Sequence, residues 1–246
     1  TVAFKFGEGI ASVGFATDPN VTNGTATADF TLLVPQGADI TLDVVCKERY
    51  AYFGETSLTV GGEDMDVELT AERVAFESVE YCDADGEAQT ATDVVIVGPH
   101  LGQTLSNGWY VVDGEIDMGS LIVNGAANLI LADGAKLTAI GESTDISVGG
   151  YGFAGVSVSS GNALTIWGQS LGTGELEATG GMHGAGIGGC DNVGGNCGEI
   201  TINGGTVNAT GGWNGTGIGG GQGGNGGVIT INGGTVTATG YRGGTG

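Results

Sequence analysis

EITINGGTVNATGG, residues 199–212, returns as VITINGGTVTATG at residues 228–240. Ile200 recurs as Ile229 and Val207 as Val236, both 29 residues later. Upstream, Leu176 precedes Val207 by 31 residues, and the ATGG beginning at Ala178 precedes the ATGG beginning at Ala209 by the same distance. GTGIGG around Ile218 matches GAGIGG around Ile187 and then FAGVSV around Val156, again in steps of 31. LTIWGQ from Leu164 aligns with EITINGG, and NLILADGAKLTAIG, residues 128–141, aligns with the same unit with one inserted residue. At least four turns of one unit therefore run from about residue 128 to the end.

Inside each unit Ile200 and Ile202 flank Thr201, while Val207 and Ala209 flank Asn208. That is the period of two of a strand with one apolar face. Strands this short cannot pair within their own unit, but stacked on the next unit they pair in parallel about 4.8 Å apart and enclose an apolar core. The reading is all-β with a parallel β-helix. Its inward stacks are Leu137, Leu176, Val207 and Val236, with Ala139, Ala178, Ala209 and Ala238 beside them. From Gly180 onward 28 of 67 residues are Gly, which would make a flexible linker but for the strict recurrence of Ile and Val. Asn203 and Asn232 stand at one corner, where stacked amides bond as a ladder.

The front of the chain reads differently. VAFKF, ASVGFA, TADFTLLVP, DITLDVVC, SLTVGG and MDVELTAERV alternate without a helical period. They predict an N-terminal antiparallel β-sandwich over residues 1–82, then an acidic linker at 83–93 in CDADGEAQTATD. The β-helix then occupies 94–246, its cap and first turn at 94–125, with Trp109 and Tyr110 as a lid over the open core. Six Lys+Arg against 28 Asp+Glu give a formal charge of −22, and 20 of the 28 acids lie in residues 1–115. Such a charge repels phosphate backbones and anionic lipid, which argues against nucleic-acid partners. No apolar run approaches the roughly 20 residues of a membrane span. Thr1 begins no signal-like segment, so a cleaved leader or a fragment is expected. GYRGGTG stops before the residue matching Ile218, so further chain or another subunit is expected to cover the final turn.

NGWYVVDGEIDMGSLIVNGAANLILADGAKLTA, with AGIGGCDNVGGNCGEITINGGTVNATGG, resembles the Gly-rich right-handed β-helix repeats of bacterial adhesin-like surface proteins, often labelled carbohydrate-binding. LDVVCKERYAYFGETSLTVGGEDMDVELTAE is similar to the last strands of PEGA or carboxypeptidase-regulatory-like β-sandwich modules. These resemblances imply a secreted or cell-surface, extracellular protein and carry over no catalytic motif.

Five kinds of site are open. Tyr151 and Phe153, then Met182 and His183, then Trp213 and Asn214, then Tyr241 and Arg242 recur at one corner of successive turns. Such rings either stack on sugars, with His183, Asn214 and Arg242 supplying hydrogen bonds, or shield one another. Asp83, Asp85 and Glu87 around Gly86 have the spacing of a structural Ca²⁺ loop without the full EF-hand pattern, or are solvated acids. No other cofactor is expected. Cys46, Cys82, Cys190 and Cys197 read as reduced buried thiols or as two disulfides, Cys46 to Cys82 and Cys190 to Cys197. Glu175 and Glu177, with Lys136 the nearest base in the column, form the one pair that resembles a polysaccharide-cleaving site, and a solvated strand explains them better. The Thr columns suggest an ice-binding array, but Asn208 and Glu177 interrupt it.

The functional expectation is a non-enzymatic, adhesin-like surface protein whose partners are glycans or host and cell-surface proteins. One alternative is a self-associating fibre subunit, with VAFKF as donor strand or exposed edge. The other is a polysaccharide lyase or hydrolase.

Overall fold

A computed structural model describes residues 1–18, 23–98, 104–143, 152–190, 195–242 and 246. Two compact units emerge, Thr1–Ala75 and Phe76–Gly246. Among the described residues no helix is long and apolar enough to cross a membrane.

The first unit holds β1 (Val2–Phe6), β2 (Ile10–Asp18), β3 (Asn23–Ala26), β4 (Phe30–Leu32), β5 (Asp39–Cys46), β6 (Tyr50–Ala51), β7 (Ser57–Thr59), β8 (Met65–Leu69) and β9 (Glu72–Arg73). They form sheets in the orders β4-β1-β8 and β3-β2-β5-β7, plus the pair β6-β9. Val2, Phe4, Leu32 and Leu69 of one sheet and Val13, Ile40 and Leu42 of the other share a single apolar cluster. The rings of Phe4 and Phe15 stack on Phe30 at 4.6 and 4.9 Å. The unit is not purely antiparallel, because β1 runs antiparallel to β4 but parallel to β8. This pairing also overturns VAFKF as an exposed edge. The strand is bonded on both sides, and its alternate residues Val2 and Phe4 are buried.

The second unit opens with a hairpin, β10 (Ala75–Cys82) and β11 (Ala88–Ile96). Five three-stranded rungs follow. They are β12 (Thr104–Leu105), β13 (Gly108–Val112) and β14 (Glu115–Met118); β15 (Leu121–Val123), β16 (Ala126–Leu131) and β17 (Lys136–Ile140); β18 (Val156–Ser157), β19 (Ala163–Gly168) and β20 (Glu175–Thr179); β21 (Ile187–Gly188), β22 (Glu199–Ile202) and β23 (Thr206–Trp213); β24 (Ile218–Gly219), β25 (Val228–Ile231) and β26 (Thr235–Tyr241). Corresponding strands stack into three sheets, β13-β16-β19-β22-β25, β12-β15-β18-β21-β24 and β14-β17-β20-β23-β26. The expected register is the observed one. Ile200 pairs with Ile229, and Leu137, Leu176, Val207 and Val236 pair in succession, all in parallel. One apolar core runs through the rungs, filled by Leu129, Ile166, Ile202, Leu176, Val207, Val156 and Ile187 among others. At the corner after β22 the Asn232 amide nitrogen donates to Asn203 Oδ1 at 2.8 Å, the first step of the expected ladder.

CDADGEAQTATD is not a linker. Residues 83–87 form the hairpin turn, and the strand β11 begins at Ala88. Val95 and Ile96 then pair in parallel with Tyr110 and Val111, so β11 extends the first sheet beyond its first rung. The hairpin also covers that sheet's outer face, where Phe76, Val79, Tyr81 and Val94 pack with Val111, Ile130, Trp109 and Trp167. Trp109 therefore does not cap the core. Alternation turns Tyr110 inward and Trp109 outward, where its ring lies 4.8 Å from Tyr81 and 6.0 Å from Trp167. WYVV and NLIL are apolar at successive positions because both of their faces are covered, whereas EITI, uncovered outside, alternates.

All four cysteines are free thiols, which corrects both disulfide pairings. Cys190 packs with Ala154 and Ala185, whereas Cys197 belongs to the rung core, so their side chains enter different apolar clusters. Cys46 closes β5 in the first unit and Cys82 closes β10. Burial pushes the Cys197 thiol up to about 11, and only the thiolate attacks. Reduction is expected to leave the mass of the intact chain unchanged. A thiol reagent at pH 8 should label half-buried Cys46 and Cys82 long before buried Cys190 and Cys197. A mass gain on reduction would restore the bridged reading.

Candidate functional site: an aromatic and arginine corner

β23 and β26 run in register from Thr206 and Thr235, shift after Thr210, and end with Trp213 opposite Tyr241. Beyond each strand the chain turns through a left-handed residue, Asn214 at φ 59° and Arg242 at φ 40°. The preceding rung does the same with His183 at φ 65°. One hydrogen bond repeats up this stack. His183 N donates to the Trp213 carbonyl at 3.0 Å, and Asn214 N donates to the Tyr241 carbonyl at 2.9 Å.

Five non-glycine residues among those described have positive φ, and three of them are these neighbours. A left-handed residue with a β-carbon costs roughly 1 kcal/mol, less for Asn. In a chain with 53 glycines, the corner keeps imidazole, amide and guanidinium where Gly would relieve that cost.

The side chains converge. Trp213 and Tyr241 are 42% and 47% exposed, with centroids 6.1 Å apart and planes at 62°. The Arg242 guanidinium lies 4.6 Å above the Trp213 ring, a cation–π contact. With the Asn214 amide oriented to suit its neighbours, its oxygen accepts from Trp213 Nε1 at 3.2 Å and Gln222 Nε2 at 3.3 Å, and its nitrogen donates to the Arg242 carbonyl. His183 Nδ1 is 3.0 Å from the Trp213 carbonyl. Gln222 N, in turn, donates to the His183 carbonyl at 2.9 Å. Gln222 is a member that the repeat alignment missed. Its only signal is being the one side chain within GGGQGG.

The ladder is shorter than expected. His183, Trp213, Asn214, Tyr241 and Arg242 come together, but Phe153 packs against Ala154, Ala185 and Cys190, and Met182 is half-buried beside His183. Tyr151 lies outside the described residues.

The acidic triplet does not form a cation site. Asp83 Oδ1 accepts from the backbone of Asp85 and Glu87, both at 3.0 Å, and Oδ2 accepts from Gln89 Nε2 at 2.9 Å. These bonds, that from Gln89 foremost, hold the Asp83 carboxyl below the usual range. The carboxylate thus closes the hairpin turn, and no group of three metal-ligating side chains converges among the described residues. On the outer face of the third sheet, Lys136 Nζ lies 2.7 Å from Glu177 Oε2 and 3.8 Å from Glu175 Oε1. Asn208 Nδ2 donates to Glu175 Oε1 at 3.0 Å. Hydrogen bonding to Glu177, then the charge of Glu175, raises the Lys136 ammonium above its ordinary value.

A family model described as a beta helix repeat matches residues 200–222 and 229–246. This chain carries β-helix repeats. The matched repeats contain Trp213, Asn214, Gln222, Tyr241 and Arg242, and His183 stands one rung before them. No curated protein and no solved structure matches the chain.

Proposed function

We propose that this is a non-enzymatic, extracellular, adhesin-like β-helix protein that binds glycans at the Trp213 corner. One observation carries the reading: two half-exposed rings are held by rung register beside imidazole, amide and guanidinium. A sugar presents C–H faces to rings and hydroxyls to such polar groups, and rigid rings lose little entropy on binding. In this reading the β-helix is right-handed, as parallel crossovers almost always are. The first unit is a small β-sandwich in the same reading.

Titration with a panel of oligosaccharides should change the tryptophan fluorescence saturably. Trp213→Ala should weaken binding about tenfold or more. If no oligosaccharide binds, the rings only shield each other and the proposal fails. The lyase or hydrolase reading has less support, because Lys136 and Asn208 already engage Glu175 and Glu177. The fibre reading loses the edge strand it started from.

A further inference from the structure

Resting on that glycan reading, we infer that the corner selects saccharides bearing a carboxylate, with Arg242 as the anion-contacting residue. Arg242 is the only charged side chain after Glu199. Among the described residues, the ion pairs involve Lys136, Arg49, Arg73 and the N-terminus, and none involves Arg242.

The neighbouring polar groups are already engaged with each other. Trp213 Nε1 and Gln222 Nε2 both donate to the Asn214 amide, whose own nitrogen donates to the Arg242 backbone. Among the described residues, no ion pair engages the Arg242 guanidinium. Its central carbon lies 4.6 Å over the Trp213 ring, and its N–H donors lie in the guanidinium's own plane. That rigid fork matches the two oxygens of a carboxylate, and the cation–π contact restricts it before any ligand arrives. Tyr241, adjacent in sequence and half-exposed, supplies a second ring for the sugar that carries the acid.

The formal charge of −22 opposes polyanions at long range, but it is placed elsewhere in the sequence, with no acid after Glu199. At physiological salt, exposed charges more than about 8 Å apart are largely screened. In this reading Arg242 supplies the local recognition of the acid.

The test uses the whole chain and matched ligands. Galacturonate, glucuronate and mannuronate trimers are titrated beside their methyl esters, which keep the rings and remove the charge. At least one free acid should bind about tenfold tighter than its ester. Arg242→Gln should erase that difference, Arg242→Lys should leave part of it, and a thermal melt reports that each variant is folded. Equal affinity for acid and ester, or a preference that survives Arg242→Gln, overturns carboxylate selection and leaves glycan binding standing. If none of these trimers nor any neutral oligosaccharide binds, both proposals fall.

Discussion

Leu176→Ala is expected to destabilise the second unit by about 3 kcal/mol, read from the denaturant midpoint. Leu176 is fully buried in the third rung, between Leu137 and Val207 in the stack. Truncation removes its transfer free energy and leaves a cavity whose walls are strands pinned on both sides. The defect also weakens two interfaces at once, since stacked repeats draw stability from their immediate neighbours. Glu177, one residue on, faces outward and pairs, among the described residues, with half-exposed Lys136. Glu177→Ala should therefore leave the midpoint nearly unchanged. Equal effects at the two positions would mean that the strand does not alternate as described.

Gly212→Ala is expected to be worse, costing about 4 kcal/mol or preventing folding of the last rungs. A β-carbon at Gly212 would overlap the Gly181 carbonyl oxygen and lie 2.9 Å from the Gly180 oxygen, so only backbone stands in its way. Neither partner has room to move. Gly181 N donates to the Phe153 carbonyl at 2.8 Å and Gly212 N to the Gly184 carbonyl at 3.0 Å, so relief means prising rungs apart. Gly212 directly precedes Trp213, so oligosaccharide binding should be lost with stability. Gly226 is the control, because a β-carbon there meets nothing within 4 Å and its φ is not positive. Gly226→Ala should be neutral or stabilising by up to about 1 kcal/mol. Comparable loss at both positions would show that glycine serves chain flexibility here, not close approach of rungs.

The corner was legible only in part, and the reason is uneven rung length. Ile187 and Ile218 are 31 residues apart, but Trp213 and Tyr241 are 28 apart, with the register shift after Thr210 between them. An alignment by period carries Phe153 into the ladder, whereas the chain packs it among Ala154, Ala185 and Cys190. Gln222 joins from a glycine-rich loop whose path no periodicity specifies. The acidic triplet misleads for a related reason. Carboxylate spacing is the same in a Ca²⁺ loop and in a turn whose first Asp bonds its own backbone.

The repeat alone determined the parallel register of the rungs, because a slip of one residue would turn Ile200, Ile202, Val207 and Ala209 all outward. What covers each outward face was decided only by tertiary structure. Alternation separates two faces of a strand, yet it does not say that residues 75–96 fold over Trp109, Ile130 and Trp167. Nor does it say that, among the described residues, Trp213 and Tyr241 are left half-exposed. That difference comes from contacts between segments far apart in the chain, and local sequence does not encode them.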